Sequence, residues 1–533
     1  MEAKFGYKIN NFSYLTTPFA DDFNLITRNK RTHQRLINKL FEWSDSMGLK
    51  LKPSKCKSLS LVSGQPQSIN FQMGDDILET LEEQPHKFLG STITFCNKQS
   101  EIYQIVLEHF ETRLKRIDNL LIRNEYKIKM YIDYLLPASK FILTVHNLTS
   151  TSLNKLDSVV TRYLKNWIGL PHSGTPAVIH APQIFSVKSI KQLYQECQSN
   201  AYISSKMKAD IKVINALDSR LKREQSWTRK KSTIVACDNI MQKVIESSEE
   251  TNIKSLKKEA QKTINQEMQD HWFNHLKSLI VQGKFLTSDE CMNDINYKSI
   301  LFNLPRNVLK FLSNAAIDTL PTNVNLKRWN KRSSSSCNLC GNKETLLHVL
   351  NFCKVMLDQG RYTWRHNSIL NYIHSTIKNT NQDSLEIFCD LPGILVGIST
   401  IPTDIIITSQ RPDLVIVNRI LKKVTLVELT VPFDLNVTRA HERKLDRYEN
   451  LINDINDTDY TAAYLAIEVG SRGFISNDNN LRLKELFNMF GICSKKELNM
   501  LISNLKKAVI IASYCVFYSK YEKSWIDPKL ISI

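Results

Sequence analysis

The sequence predicts a multidomain α+β protein, and three observations lead to this prediction. Its 533 residues are enough for three or four domains. Hydrophobic residues make up 42% of the chain and charged residues 23%, a balance typical of folded domains. Strand-like patterns occur towards both ends, around residues 15–26 and 411–469, whereas helical periodicity dominates between them. We therefore expect sheets near both ends and helices in the middle.

The charge and cysteine content favour a nucleic-acid partner inside the cell. Lys and Arg number 71 against 53 Asp and Glu, a formal net charge of +18, which favours nucleic acid ahead of a membrane surface. No apolar run follows a basic start, so we expect no secretory signal, and the apolar run at 508–518 is too short to span a bilayer. Eight of the eleven cysteines lack framework spacing, which fits a reducing compartment.

The first stretch of interest is an acidic pair, Asp21-Asp22, preceded by Phe19-Ala20. Apolar residues on both sides predict a β-hairpin whose turn presents both acids. Paired carboxylates at a hairpin tip can hold Mg²⁺, which prefers hard oxygen ligands. Asp-Asp pairs are also common in solvated turns, so the pair by itself does not decide between these interpretations.

The next elements are a helix and short strands. Helical spacing of apolar side chains predicts a helix over 34–47, which Gly48 ends. An alternating strand then ends near Val62, and a second short strand pair surrounds residues 85–90. The apolar positions of the helix are Leu36, Ile37, Leu40, Phe41 and Trp43.

Residues 101–167 have helical periodicity with one apolar and one basic face, and residues 188–332 read as a polar, Lys-rich helical connector. A basic face of this kind is usually just solvated. It also suits contacts with the phosphates of a nucleic-acid backbone. The basic residues are Arg113, Lys115, Arg116 and Arg123.

A metal site is predicted by the pattern C-x2-C-x7-H-x4-C. Its members are Cys337, Cys340, His348 and Cys353. Three thiolates and one imidazole at this spacing can close a tetrahedral Zn²⁺ site, and Gly341 permits the tight turn. Free cysteines near a buried histidine are the alternative, but four ligands in order favour zinc.

The C-terminal region pairs two acids with a lysine. Asp413 opens one apolar strand, and Glu428 lies midway along the next. A helix is predicted from about 438 to 453, carrying Lys444 and Arg447, and a third strand over 464–469. Two carboxylates and a lysine in an α/β arrangement are typical of a metal-dependent nuclease, in which the acids bind Mg²⁺ and the lysine orients water or stabilises developing charge.

Three positions near this motif need comment. Thr430 stands two residues beyond the second acid, where such nucleases usually carry the lysine. Asp434 is an uncertain additional acid, and we expect His441 to be a surface residue rather than a base. The short acid pattern is a weak signal by itself, because Asp and Glu flank many strands.

The N-terminal motifs resemble those of reverse transcriptases. Residues 19–22, then Gly48-Leu49-Lys50-Leu51 with Lys55-Cys56, then Lys87-Phe88-Leu89-Gly90 are similar to the third, fourth and fifth palm motifs. Their order and spacing resemble non-LTR (LINE-type) retrotransposon enzymes. The resemblance implies that Asp21 and Asp22 are metal ligands, that Lys55 is the candidate acid for pyrophosphate, and that the stretch beginning at Lys87 grips the primer.

The resemblance continues through the rest of the chain. Tyr134–Pro137 and Trp167–Pro171 are similar to the thumb of these polymerases, and the zinc motif is similar to the knuckle upstream of their restriction-like endonuclease. In that clade the lysine comes from the following helix. The resemblance therefore implies that Asp413 and Glu428 are metal ligands, Lys444 the catalytic lysine, and Arg447 a supporting cation. The clade more often has Asp where Glu428 stands.

The resemblance implies five parts. They are the C-terminal part of a palm (1–95), a helical thumb (96–187), a helical connector (188–332), a CCHC zinc knuckle (333–356) and a restriction-like endonuclease (357–533). A carboxylate from an upstream motif is needed to complete two-metal polymerisation, and only about twenty residues precede Asp21. We therefore expect an N-terminally truncated chain with an incomplete polymerase site.

The function implied is target-primed reverse transcription, in which the DNA target is nicked and its 3′ end extended along the element's RNA. The cofactors implied are Zn²⁺ in the knuckle and Mg²⁺ at the acids. The chain would be found in the nucleus and cytoplasm and act in the nucleus. One alternative is a catalytically inactive or co-opted remnant that only binds nucleic acid. Another is that a longer transcript encodes an intact polymerase.

Overall fold

The computed structural model describes residues 2–19, 22–81, 86–93, 99–208, 210–216, 219, 242, 252–380, 384–395 and 397–531. Ala20 and Asp21 lie outside these ranges. The chain divides into two compact units, and each is described by itself. The first comprises Met1–Leu120, Met130–Val160 and Lys188–Met268, and the second comprises Leu121–Lys129, Thr161–Val187 and Gln269–Ile533. The five-part division was based on motifs rather than contacts, and it stays a prediction.

The N-terminal part of the first unit consists of short, two-stranded sheets. The predicted hairpin is present, since Thr16–Phe19 pairs antiparallel with Asp22–Leu25 and Phe19 faces Asp22. The predicted strand ending near Val62 is present as two short strands, Lys57–Ser58 and Leu61–Val62, which pair with different partners. The strands are β1 (Tyr7–Ile9), β2 (Phe12–Tyr14), β3 (Thr16–Phe19), β4 (Asp22–Leu25), β5 (Lys57–Ser58), β6 (Leu61–Val62), β7 (Gln65–Pro66), β8 (Gln72–Met73), β9 (Asp76–Ile77), β10 (Glu79–Thr80), β11 (His86–Phe88) and β12 (Ser91–Ile93).

Helices make up most of the described chain between these strands and residue 278. The helix predicted at 34–47 begins earlier, at Lys30, because the Asn29 side chain accepts a hydrogen bond from Thr32 N at 2.9 Å and caps it. The helical prediction for 101–167 is confirmed. The helices are α1 (Glu2–Phe5), α2 (Lys30–Ser46), α3 (Gln99–Asp118), α4 (Asn124–Met130), α5 (Leu136–Val145), α6 (Ser150–Ile168), α7 (Ala177–His180), α8 (Ile190–Lys208) and α9 (Ile253–Ser278).

The second unit is built around one four-stranded sheet. Its strands are β13 (Glu386–Cys389), β14 (Leu414–Asn418), β15 (Lys423–Thr430) and β16 (Thr461–Glu468), in that spatial order. The first two neighbouring pairs are antiparallel and the last is parallel. The parallel pair requires a crossover, which the predicted helix provides as Val437–Asn456.

Both faces of this sheet are covered, which explains why its strands are nearly all apolar. The crossover helix packs Tyr448, Leu451 and Ile455 onto one face. Arg361–Lys378 contacts β15 and packs in turn against Lys495–Tyr518. The helices of this region are α10 (Arg306–Ala316), α11 (Asn323–Arg328), α12 (Lys354–Asp358), α13 (Arg361–Lys378), α14 (Val437–Asn456), α15 (Asn477–Met489) and α16 (Lys495–Tyr518).

The last helix is, by its length and composition, long and apolar enough to cross a bilayer. The apolar segment is thus longer than the run at 508–518 noted in the sequence. About half of its most apolar stretch is buried inside the unit, including Leu505 and Val509. Burial of this kind is what a core helix requires, and α16 packs directly against α13.

Candidate functional site

Strand register places the two C-terminal acids side by side. Val415 faces Leu426 in the antiparallel pair β14–β15, and continuing that register by two residues on each strand sets Asp413 opposite Glu428. The Asp413 backbone N–H donates to Glu428 Oε2 at 3.4 Å, and Asp413 Oδ2 accepts from Leu429 N at 2.7 Å. The predicted meeting of these acids is therefore observed.

Lys444 reaches the same point from α14. It lies one turn before Tyr448 on the stripe of that helix that packs on the sheet, so its side chain extends along the sheet surface. Its Nζ forms an ion pair with Glu428 Oε1. The side chains of Lys444 and Glu428 are 17% and 3% exposed, so this pair is largely removed from solvent screening.

The electrostatics of the site follow from burial of like charges. Burial raises the pKa of Glu428, and the neighbouring Asp413 carboxylate raises it further, while Lys444 opposes both effects. A divalent cation would reverse this balance by favouring both ionised acids. Two carboxylates, together with the backbone carbonyl of Leu429, are the oxygen ligands that Mg²⁺ and Mn²⁺ accept. The donor set therefore fits a divalent metal.

A histidine that the sequence did not indicate completes the cluster. His366 Nε2 on α13 lies 3.1 Å from Asp413 Oδ2 and 3.2 Å from the carbonyl oxygen of Leu429. Burial lowers the pKa of His366, but the Asp413 charge and hydrogen bond outweigh it and raise the pKa to about 9. No motif marks this residue. One signal was available in the sequence: Arg361 and Arg365 fall among the apolar positions of α13. The structure buries both arginines.

Three other residues near the motif differ in their exposure and in their partners. Arg447 is exposed on α14 and stacks over the Tyr448 ring at 5.4 Å. His441 is partly exposed, and its Nδ1 lies 2.9 Å from Oε1 of the buried Glu468, so its expected role as a surface residue rather than a base stays a prediction. Asp434 is completely buried and bonds to Arg472 at 2.8 Å, so it serves as a structural ion pair.

The four ligands of the zinc motif come together in the second unit. The ligand atoms of Cys337, Cys340, His348 and Cys353 all lie within 4.8 Å of one another. In a tetrahedral Zn²⁺ site with ligand distances of about 2.0–2.3 Å, such atoms lie roughly 3.3–3.8 Å apart. Burial and neighbouring thiols raise the pKa of Cys353 to about 12 in the metal-free form. Zinc would favour the thiolates, so this cluster fits the ion.

Local structure explains how this knuckle is held. Gly341 adopts φ +78°, and its N–H donates to the Cys337 carbonyl at 3.0 Å, which closes the first turn. The Tyr362 hydroxyl accepts from Cys353 N at 3.0 Å and donates to the His348 carbonyl at 3.2 Å. Because Tyr362 and His366 are one turn apart on α13, the same helix supports the knuckle and the acidic site.

The N-terminal motif residues are mostly exposed. Asp22 lies at the start of β4, opposite Phe19, whose side chain is 65% exposed, while Asp21 lies outside the described residues. Lys55 is exposed in the 3₁₀ turn, and Lys87 is exposed on β11. Nothing described here brings Lys55 to Asp22, so their shared role remains a prediction.

The structure shows part of the basic face that was predicted for α3. Lys115 and Arg116 are exposed, although Lys115 lies 3.9 Å from Glu111 on the same helix. Arg113 is half-buried and donates to the His109 carbonyl at 3.2 Å. Lys115 and Arg116 are therefore more accessible to a phosphate than Arg113.

Comparison with known proteins identifies the N-terminal stretch. Residues 6–93 match the family model for reverse transcriptase (RNA-dependent DNA polymerase). This range contains all three motifs on which the resemblance to polymerases was based. Residues 6–93 are therefore similar to part of a reverse transcriptase.

Individual relatives are retrotransposon polyproteins. The chain is 24% identical over 195 residues to the Retrovirus-related Pol polyprotein from type-2 retrotransposable element R2DM of Drosophila melanogaster, which covers 34% of this chain and 18% of that protein. It is 23% identical over 172 residues to the polyprotein from type-1 retrotransposable element R2 of Nasonia vitripennis, covering 31% and 16%. A Bradysia coprophila R2 polyprotein matches at 23% over 33% of this chain and 21% of its own length. Each match thus spans about a fifth of the relative or less.

These matches relate the chain to the reverse transcriptases of non-LTR retrotransposons, as the motifs indicated.

Proposed function

We propose that this relative of the non-LTR retrotransposon reverse transcriptases is the C-terminal part of an RNA-directed DNA polymerase that carries a metal-dependent DNA-nicking endonuclease. The nuclease would lie in residues 357–533. One observation carries this proposal: Asp413, directly before β14, and Glu428 on the neighbouring β15 meet Lys444 from the crossover helix. Family resemblance contributes the restriction-like clade and target-primed reverse transcription.

The proposed roles follow from charge and position. Asp413 and Glu428 would hold a divalent cation, which supplies Lewis-acid activation of a phosphate oxygen and of water when bound. Lys444 would orient the attacking water or stabilise the additional negative charge on the phosphate, since its ammonium already lies against Glu428. Removal of one such preorganised cation typically costs about 10²–10³ in rate. Arg447 is a supporting cation in this proposal, on the exposed side of α14.

The knuckle and the basic helix have binding roles in the same proposal. Cys337, Cys340, His348 and Cys353 would hold one Zn²⁺ that fixes the chain next to α13. Lys115 and Arg116 would contact the phosphates of the DNA target or the element's RNA. Asp21, Asp22 and Lys55, with the stretch at Lys87, would belong to the polymerase site. The place of action would be the nucleus.

Plasmid nicking tests the nuclease proposal. Supercoiled DNA is incubated with the full chain and Mg²⁺ or Mn²⁺, and the appearance of open circles is followed. We expect Asp413→Ala to abolish nicking. The matched control is Asp459→Ala, because this acid is 82% exposed and pairs only with Lys422 among the contacts described. The control should nick at the parent rate. Equal nicking by the parent and Asp413→Ala would rule out this site.

The same preparations distinguish the nuclease from a second candidate function, that of an inactive or co-opted remnant that binds nucleic acid. That candidate is favoured by the exposed basic residues of α3. A parent that never nicks with either metal, and whose DNA affinity equals that of Asp413→Ala, would establish binding without cleavage. Nicking that depends on Asp413 would exclude it.

A further inference from the structure

We propose that His366 Nε2 is a third side-chain ligand of the metal at the Asp413–Glu428 site, and that the site therefore prefers Mn²⁺ to Mg²⁺. This inference rests on the proposed nuclease function. It concerns a residue that no sequence motif marks, on a helix that precedes both acids in the chain. Its basis is the position of one imidazole nitrogen relative to two oxygens.

The three atoms are spaced like neighbouring ligands of one ion. His366 Nε2 lies 3.1 Å from Asp413 Oδ2 and 3.2 Å from the Leu429 carbonyl oxygen. In an octahedral site with ligands at about 2.1 Å, adjacent ligand atoms are about 3.0 Å apart. The carboxylate, the carbonyl and the imidazole can thus share one cation with little movement of the side chains.

The second ring nitrogen has the partner that a ligating histidine needs. His366 Nδ1 lies 3.2 Å from Asn367 Oδ1. An amide oxygen accepts a hydrogen bond from Nδ1–H, so a metal ion that displaces the Nε2 proton would find the Nε2 lone pair on the side of the two oxygens. Outer hydrogen bonds of this kind fix the tautomer and ring orientation of metal-bound histidines.

Position in the fold also holds the ring in place. The preceding residue, Arg365, donates to the carbonyls of Leu350 at 2.9 Å and Val431 at 3.1 Å, which ties this turn of α13 to the end of β15. The His366 side chain is 23% exposed and that of Asp413 is 13% exposed. The ring is therefore held close to Glu428 and Leu429 of β15.

Metal preference follows from the ligand types. Mg²⁺ prefers oxygen ligands and loses water reluctantly, whereas first-row transition ions accept imidazole nitrogen readily. Carboxylate, carbonyl and water oxygens suit Mn²⁺ as well as Mg²⁺. One nitrogen added to this oxygen set therefore shifts the preference towards Mn²⁺.

Mn²⁺ binding to the zinc-loaded full chain tests the inference without measuring activity. Loading with zinc first occupies the thiolate cluster. Pulsed electron paramagnetic resonance then detects a nitrogen directly bonded to Mn²⁺. We expect nitrogen coupling in the parent and in His172→Gln, which removes an exposed imidazole of the same unit. The coupling should disappear in His366→Gln.

Affinities provide the second readout. Gln supplies a neutral oxygen donor of similar reach, so His366→Gln should bind Mn²⁺ about tenfold more weakly than the parent. Its Mg²⁺ affinity, measured by competition, should stay within about threefold. Retained nitrogen coupling in His366→Gln, or an unchanged ratio of Mn²⁺ to Mg²⁺ affinity, would overturn the inference.

Asp413→Ala separates a failure of the histidine ligand from a failure of the whole metal site. If Asp413→Ala loses Mn²⁺ while the parent shows no nitrogen coupling, the assignment of the metal site stands and that of the histidine ligand is rejected. If Asp413→Ala binds Mn²⁺ as the parent does, the proposed nuclease site itself fails, and the histidine assignment fails with it.

Discussion

Two regions of this chain present acids that look alike in the sequence, and they differ in how many elements surround them. Asp22 lies on a two-stranded hairpin, is exposed, and faces the exposed Phe19. Asp413 and Glu428 lie on the inner strands of a four-stranded sheet, where α13 and α14 bring His366 and Lys444 to them. Convergence of elements that are distant in the chain, rather than adjacency of two acids, produces a site whose carboxylate pKa is shifted.

The physical reason is the local dielectric environment. Charges of Glu428 and Lys444 interact where little water screens them, whereas the carboxylate of Asp22 is solvated. Burial also raises the pKa of Glu428. Substitutions should therefore have large effects in regions built from several elements, and small effects on the hairpin.

The largest expected effect is loss of the knuckle metal. Cys340 Sγ lies 3.3 Å from His348 Nε2, and both are needed for tetrahedral zinc. We expect about one zinc per chain in the parent and none in Cys340→Ser, as measured by atomic spectroscopy. The exposed Cys493 provides the matched control, and Cys493→Ser should retain the metal. Unchanged zinc in Cys340→Ser would refute the assignment.

A buried ion pair gives the next largest effect. Asp434 accepts from Arg472 Nε at 2.8 Å and from its backbone N–H at 3.2 Å, and both side chains are at most 3% exposed. Asp434→Ala leaves a buried guanidinium uncompensated and should lower the unfolding free energy by about 3–5 kcal/mol. Urea unfolding followed by circular dichroism measures this change.

The hairpin acid supplies the comparison for that measurement. Asp22→Ala should change the unfolding free energy by no more than about 0.5 kcal/mol, because a solvated surface substitution removes no buried partner. Equal destabilisation by Asp22→Ala and Asp434→Ala would break the distinction between the two regions.

The smallest predicted effect concerns the basic helix of the first unit. If Lys115 contacts a phosphate, Lys115→Ala should reduce the slope of log affinity against log salt by about 0.9 for duplex DNA. Lys496 is exposed on α16, and Lys496→Ala should leave the slope unchanged. The measurement is fluorescence anisotropy at several salt concentrations. An unaltered slope in Lys115→Ala would remove that lysine from the interface.

Sequence patterns predicted much of the second unit, because its elements are long and its motifs local. The strands at Asp413 and Glu428, the crossover helix with Lys444, and the four residues of the Cys/His cluster were all found this way. Lys444 was assigned by resemblance, and the structure supplies its physical basis, a helical stripe shared with Tyr448 and Leu451.

Other features depended on contacts between residues far apart in the chain. His366 is 47 residues from Asp413, and a lone histidine on a helix has no periodic signal. His441 contacts Glu468, which lies 27 residues away on β16, and no local pattern indicates that contact. In the N-terminal part, the strand predicted to end near Val62 is divided into two pieces that pair with different strands, which alternation alone does not indicate. Strands of two to four residues carry too little pattern to be placed reliably.

The central claim is that strand cutting depends on the acids of the four-stranded sheet and not on the hairpin acid. The most direct test compares two neutralising substitutions of nearly unchanged shape, Glu428→Gln and Asp22→Asn, in supercoiled-plasmid nicking with Mg²⁺ and with Mn²⁺. We predict that Glu428→Gln lowers the nicking rate at least about 100-fold and that Asp22→Asn leaves it unchanged. Full nicking by Glu428→Gln, or loss of nicking in Asp22→Asn, would contradict the claim.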